Sequence, residues 1–577
     1  MTLNQSRYLA ILVSCGLAGC YVWFIWGFYP VDNVHLGEDY TNFFVRMTSA
    51  EFFFRQSGIF QVPWFTPAMC GGGFQFANPI DITYSVPQFL SMLSNPLTAV
   101  FLTHVIFVLI GALGTYILVR ATPFNLSLWP ALVASTFFAF NGFFMARMLT
   151  GHLNFHTFML LPVIAYCLLR NTTFASTIAG LLAAIILVAG GAHIVIPIAL
   201  SILMVLCLES GYTNRLSKKD IIRSVTIAGA VALALSAAKL SVTFSLLSNF
   251  PRSLYSLQGV ESFFHALWMP IAALVWQINP PGDLHGNLIL RSHEFEYSLS
   301  PVIIPCLLLS AYFAIKHYPK RFTRILLLML PISLPILMVN YYQPQWHDLL
   351  KEIPIVSSSL SLFRWYSSFI LFLAIVGAIG IEQLPRKLTI VVSLAAMVAT
   401  ATWQIGRDAD WKNTTTVNYR TILDGLEKSR SNGIQPITHL SVKKNSEGIV
   451  TPVHIGIDAH FTEGHSQVFC YEPILGYNNE LLKIENIRIA PILYQVGNEL
   501  NMKNPACYTF PKANGCQPGD NFTLLQKQEL LSFTTYRSWH FYMPWYQHLA
   551  NKLTLITWPL ILLYLFIASL RRTILTR

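Results

Sequence analysis

The stretch VDNVHLGEDYTNFF, residues 31–44, decides how this chain is read. It follows directly on an apolar run that starts at Tyr8 and ends near Pro30. A run of that length crosses a bilayer once. It is too long for a signal-peptide core and lacks a small-x-small cleavage site, so it reads as a retained first span. Two adjacent carboxylates, Glu38 and Asp39, then emerge beside the membrane surface, with His35 before them and the helix-like TNFFVRMTSAEFFF after them. Three physical readings stand open. The acids are solvated at a helix end. They mark a helix N-terminus, where negative charge gains about 0.3–1 kcal/mol from the helix dipole. Or one of them is a general acid or base.

Composition sets the setting. Of 577 residues, 54% are hydrophobic and 11% charged. Soluble domains carry roughly 25% charged residues, so most of this surface faces lipid. The formal charge of +11 is not a nucleic-acid footprint. Its basic residues fall in short clusters between apolar runs, as membrane topology produces. Twelve runs of span length are found, the first at 8–30 and the last at 552–570. With the N-terminus inside, alternate loops carry Arg120, Arg170, the Arg215–Arg223 group, the Lys316–Arg324 group, Arg386 with Lys387, and Arg571 with Arg572. Every inside loop is then basic. A Gly-Gly break in VAGGAHIVIP divides 174–209 into two spans.

The outside segments are long. Residues 31–96 form a first external loop, and 405–551 are long enough for a small mixed α/β domain. The organisation predicted is a membrane domain over 1–404, an external domain over 405–551, and a final span with a tail over 552–577. Cys507 and Cys516 close a short external loop and are the expected disulfide, while Cys70 with Cys470 is a second possible pair. No Cys-x-x-Cys is present, and the His-x-x-x-His pair His152 and His156, which would share a helical face, lacks a third ligand, so neither a metal nor any other cofactor is expected.

The first external loop continues with FRQSGIFQVPWFTPAMCGGGFQFANPIDITYSVPQFLSMLSNP, rich in aromatics, Pro and Gly. Such a segment favours the membrane interface. The expectation is an aromatic lid over the acids, which desolvates a carboxylate and raises its pKa. CGGGF, residues 70–74, is not a phosphate loop, because no strand precedes it and no Lys-Ser/Thr helix start follows.

At GEDY (37–40), VPWFTPAMCGGGFQFANPIDITYSVPQFL (62–90), FFAFNGFFMARMLTGHLNFHTFMLLP (137–162), GGAHIVIP (190–197) and LFRWYSSFILFLAIVGAIGIEQL (362–384), the chain resembles the GT-C glycosyltransferases, and within them the YfhO-like bacterial membrane proteins. The order of these motifs across roughly 8–400 carries the resemblance. It implies a GT-C-type polytopic helical fold. It also implies sugar transfer from a polyprenyl-phosphate-linked donor to a glycan, lipid or protein acceptor, on the outer face of the bacterial inner membrane. On that reading Asp39 is the base and Glu38 the second choice. Adjacent residues on a helix differ by about 100°, so only one acid faces a shared cavity. The family pattern has an Arg-x-x-Arg-like stretch near 364, of which FRWYSS keeps only Arg364.

Other candidates follow from the same reading. Arg364, on the disfavoured outer side, suits an anionic headgroup. Arg147 and His152, at the outer end of the fourth span, and Lys239, deep in the seventh, are further donor-phosphate contacts. His35, Tyr40, His156, Glu294 and Tyr471 are assigned to substrate binding. The rival reading is a transporter or flippase of a lipid-linked saccharide, with Lys239 as its pathway charge. The absence of repeated halves speaks against it.

Overall fold

Among the residues described by the computed structural model, seven helices are long and apolar enough to cross a membrane. It describes residues 3–26, 35–213, 217–250, 257–276, 278, 282, 284–285, 292–353, 356, 359, 361–406, 416–441, 460–468, 472 and 488–575. The seven are Pro96–Ala121, Leu128–Thr150, Val195–Tyr212, Lys218–Asn249, Phe363–Glu382, Arg386–Ile405 and Trp545–Arg571. Five shorter apolar helices accompany them, among them Thr173–Val188 and Ile303–His317. The protein is mostly helical and multi-pass. All twelve apolar runs of the sequence fall on helices. The turn at Gly190–His193 separates Thr173–Val188 from Val195–Tyr212, where the Gly-Gly break predicts it. The last helix presents Leu555, Ile556, Leu560 and Phe566 outward, as a helix bathed in lipid requires.

Local chemistry sets the loop that follows the first span. The strand His35–Gly37 leads into the helix Tyr40–Ser57. A second loop helix, Val86–Leu93, starts where Ser85 Oγ accepts from the Gln88 amide. The span Pro96–Ala121 starts where Asn95 Oδ1 accepts from the Thr98 amide at 2.9 Å, with Pro at the first helical position. A short polar side chain followed by Pro is the usual grammar of a helix start.

The first loop and described residues of the 405–551 segment share one core. Phe44 packs on Tyr419, Phe52 on Phe461 and Tyr536, Phe65 on Trp539 and Phe541, and Phe74 on Tyr508. Small sheets stitch the same segments. His35–Gly37 pairs antiparallel with Thr416–Asn418, and Asn521–Thr523, Glu499–Lys503 and Gln495–Val496 form a three-stranded sheet. The expected Cys507–Cys516 disulfide is present, with Cα atoms 5.6 Å apart. Cys70 is also disulfide-bonded, while Cys470 lies outside the described residues.

Buried charges fasten the layers together. Arg46, on the first loop helix, pairs with Glu472, which also accepts from Asn78 Nδ2 at 3.0 Å. Arg430 on the helix Arg420–Asn432 grips Glu51 through Nε at 2.8 Å and Nη2 at 2.7 Å. It also donates to the Ser91 and Ser94 carbonyls. Both Glu51 and Glu472 are buried, so removing a partner leaves desolvated charge.

Arg430→Ala is therefore expected to lower the unfolding temperature of the detergent-solubilised protein by several degrees, each lost charged hydrogen bond being worth about 1.5–3 kcal/mol. Arg430→Lys, a single ammonium in place of a fork, recovers less than half of the loss. A wild-type melting curve for Arg430→Ala removes Arg430 from this role.

Candidate active site

Two backbone segments meet with almost no side chain between them. Gly37 lies against Thr150, and a Cβ there would sit 2.1 Å from the Thr150 carbonyl oxygen. Gly151 has φ +116°, and a Cβ there would sit 2.4 Å from the Tyr40 nitrogen. Neither neighbour can swing aside, because both are backbone. The Asp39 amide donates to Thr150 O at 3.2 Å, and Tyr40 Oη donates to Met148 O at 2.5 Å. From the far side Tyr419 Oη donates to Gly37 O at 2.7 Å. The contact fixes Asp39, just before the loop helix, beside His152, in the turn that follows the span Leu128–Thr150.

Asp39 Oδ2 is 2.7 Å from His152 Nε2. The His293 ring stands 5.2 Å from the His152 ring, edge to face. Asp39, His152 and His293 each bring one ligand-type atom to within 4.8 Å of the other two. Next to them Arg147 and Arg364 converge on Glu294. Arg147 Nη1 lies 2.8 Å from Glu294 Oε1 and its Nη2 2.9 Å from Oε2. Arg364 Nη2 lies 2.6 Å from Oε1 and its Nε 3.1 Å from Oε2. Phe155 underlies both guanidiniums, 5.6 Å from each, and stacks on His152 at 5.3 Å. The two halves touch: Arg147 Nη1 is 3.5 Å from His152 Nδ1, and His293 Nε2 is 3.6 Å from Glu294 Oε1.

Protonation follows from these contacts. Burial by itself raises the Asp39 carboxyl, but His152 and His293 outweigh it and leave it below its ordinary value of 3.8. This corrects the expectation of a raised carboxylate. Burial pushes the His152 imidazole down to about 4, against the pull of Asp39. For Glu294, burial is outweighed by Arg147 and Arg364, which hold it well below the ordinary range. At neutral pH two carboxylates therefore face two guanidiniums. His152 is neutral, donating from Nε2 to Asp39 and accepting at Nδ1.

Asp39, Arg147, His152, Glu294 and Arg364 were read from sequence, and the structure brings all five together. Glu294 holds an unexpected position: both its oxygens are taken by arginines, so it does not orient sugar hydroxyls in this arrangement. The second arginine missing from FRWYSS is supplied by Arg147. The other assigned residues make other contacts or lie outside the described residues. Lys239 Nζ donates to Phe76 O at 2.6 Å and Asn78 O at 2.7 Å, with Asp81 3.9 Å away, so it clamps the first loop. His156 is fully buried against Phe107, its Nδ1 on Leu153 O at 2.7 Å. Tyr40 is buried and committed to Met148. Glu38 stands outside the carboxylate–imidazole group. His35 pairs through its backbone with Asn418, and Tyr471 lies outside the described residues. The aromatic lid is corrected too, since Trp64, Phe65 and Phe74 engage Phe541, Trp539 and Tyr508.

His293 and Phe155 were missed as site residues. His293 follows a long loop, and nothing local in RSHEFEY ties it to Asp39. The sequence reading found no ligand set for a cation. The structure assembles one from three distant segments: a carboxylate and two imidazoles, donors suited to a divalent transition metal.

Gly151→Ala is expected to abolish turnover, because the added methyl strikes backbone and forces Asp39 from His152. Retained activity with an unchanged melting temperature contradicts that. The pH dependence of stability is also fixed in sign. His152 takes its proton in the unfolded chain at 6.5 and in the folded chain only at about 4. Its contribution is thus whole above pH 6.5, is eroded between 6.5 and 4, and falls no further below that. Asp39 and Glu294 act only below their ordinary values of 3.8 and 4.5. In His152→Gln the decline of melting temperature from pH 6.5 to 4 flattens; an identical slope in both proteins excludes His152 as its source.

No protein-family model matches the chain. No curated protein matches it either. Among solved structures it is similar to the apo oligosaccharyltransferase of Archaeoglobus fulgidus, at 14% identity and a TM-score of 0.47, covering 81% of this chain and 64% of that one. A second archaeal structure, AglB with an inhibitory peptide and a dolichol-phosphate, gives 13% and 0.43 over 82% and 65%. The arabinofuranosyltransferase AftD from Mycobacteria gives 12% and 0.41 over 70% of this chain and 27% of that one. The chain thus spans less than two thirds of the archaeal enzyme's length. Both neighbours are GT-C superfamily glycosyltransferases. At TM-scores below 0.5 these likenesses carry no weight for this chain's chemistry, which rests on its own residues.

Proposed function

We propose that this chain is a GT-C-type glycosyltransferase, of the YfhO-like group, that moves a sugar from a polyprenyl-phosphate carrier to an acceptor hydroxyl at the outer face of a bacterial inner membrane. One observation carries the reading: an ionised carboxylate held by an imidazole, Asp39 on His152 at 2.7 Å, stands beside two guanidiniums converging on one anion. Sugar transfer from a phosphate needs those two features side by side. One accepts the proton of the attacking hydroxyl; the other stabilises charge on the departing phosphate.

The acceptor oxygen forms a bond to the anomeric carbon from the face opposite the carrier. The anomeric carbon–oxygen bond to phosphate breaks, and its electron pair leaves on the phosphate. The hydroxyl proton passes to Asp39. With its lowered pKa, Asp39 is ionised at neutral pH and takes the proton late, once the hydroxyl has become acidic through bond formation. His152 positions Asp39 rather than accepting the proton itself. Arg147 and Arg364 receive the carrier's phosphate. This course inverts the anomeric centre.

A second reading is favoured by the clustering of Asp39, His152 and His293 within 4.8 Å. These three would hold a divalent cation, which when bound supplies Lewis-acid stabilisation to a phosphate or acceptor oxygen. Asp39 is then a ligand. The transporter reading has lost its support, because Lys239 is bound to loop carbonyls.

In Asp39→Asn, sugar release from a polyprenyl-phosphate donor is expected to fall by at least 10²-fold, in the range of general acid–base contributions, with donor binding retained. Chelation with EDTA separates the readings. Activity that survives it supports Asp39 as base; activity lost and restored by added Mn²⁺ or Zn²⁺ supports Asp39 as ligand. Unchanged turnover in Asp39→Asn sinks both.

A further inference from the structure

We propose that Glu294 is an internal occupant of the carrier-phosphate site, displaced by the phosphate each time a donor binds. The inference rests on the reading that Arg147 and Arg364 receive that phosphate, and adds what stands there beforehand.

The geometry is that of an anion site already filled. Each Glu294 oxygen accepts from both arginines, at 2.6–3.1 Å, so two guanidinium forks close on one carboxylate. Fork-on-oxyanion pairing is the arrangement arginine makes with phosphate as readily as with carboxylate. The forks do not depend on Glu294 alone for their place. Phe155 underlies both, and Phe143 lies 5.5 Å from Arg147. The Glu294 main chain is separately held, by Tyr297 Oη donating to its carbonyl at 2.7 Å. The carboxylate can therefore turn out while its backbone and the two arginines stay. One side of the cage is open: the Arg364 side chain is 23% exposed, whereas Arg147 is fully buried.

Charge and the lipid tail together explain why the carrier phosphate displaces Glu294. The donor phosphate is a diester with one charge, and it gains a second when the anomeric carbon–oxygen bond breaks and leaves a monoester, which two cations balance better than one carboxylate does. Charge also explains why the placeholder is useful. Empty, the cage would hold two desolvated like charges together, at a cost of several kcal/mol. A tethered carboxylate competes at an effective concentration in the millimolar range or above. Small anions that lack a lipid tail are thereby excluded, and a carrier that gains affinity from its tail is admitted. Glu294 thus sets the affinity that any phosphate ligand must exceed, and the tail supplies the difference.

The test measures binding of inorganic phosphate and of farnesyl phosphate to the purified full chain in nanodiscs, for the wild type, Glu294→Gln and Arg364→Gln. Removing the competing charge is expected to tighten both ligands about tenfold or more, equal to 1.4 kcal/mol per decade. Farnesyl phosphate stays the tighter of the two because of its tail. Arg364→Gln weakens both. Glu294→Asp keeps the charge but is too short to fill both forks; it is expected to show a smaller gain and serves if Glu294→Gln does not fold. If neither Glu294 variant binds more tightly while Arg364→Gln still loses affinity, Glu294 is not the occupant and the arginine pair stands as a phosphate site. If no protein binds either ligand, the pair's assignment falls and the inference with it.

Discussion

Everything at the candidate site depends on one close approach of backbone to backbone. Gly37 lies against Thr150 and Gly151 against Tyr40, at distances no side chain could tolerate. The first external loop and the end of a span are thereby held at main-chain contact. Asp39 and His152 are the residues on either side of that contact. Their 2.7 Å pairing is a consequence of it. Strand Thr416–Asn418 and Tyr419 brace the same point from the C-terminal segment. Three stretches far apart in sequence therefore converge on one carboxylate.

A second constraint is charge. Glu294 is almost wholly desolvated, and Asp39 is largely so. Asp39 and Glu294 balance Arg147 and Arg364, and His152 is held neutral by burial. Such a cluster tolerates exchange of one anion for another, but not loss of an anion without replacement. The proton transfer and the phosphate exchange proposed above would thus draw on one balanced set of groups. The buried pairs Arg46–Glu472 and Arg430–Glu51 follow the same rule away from the site. They tie the first loop to the C-terminal segments that pack on it.

Much of this was legible in the sequence, for physical reasons. Hydropathy and loop charge gave the helical runs, because a bilayer leaves few alternatives for a backbone. The position of Asp39 after the first span, and of Arg364 on the disfavoured side, marked two site residues. What failed was partnership. Lys239 in a span looked like a pathway charge, yet its donors go to carbonyls of a loop some 160 residues earlier. His156 shared a helical face with His152 on paper, but a 3₁₀ segment, Leu153–Leu160, turns it into the core. Periodicity assumes one helix type and cannot anticipate that change. The raised pKa for Asp39 was inferred from burial alone, without the imidazoles that reverse it. His293 was invisible because only folding places it beside His152.

The most direct test is a cryo-EM map of the full chain in nanodiscs with a short-chain polyprenyl phosphate bound. The account predicts phosphate density between Arg147 and Arg364, the Glu294 carboxylate turned away, and Asp39 facing the carbon that would carry the sugar. Phosphate density elsewhere, with Glu294 still gripped by both arginines, would contradict it.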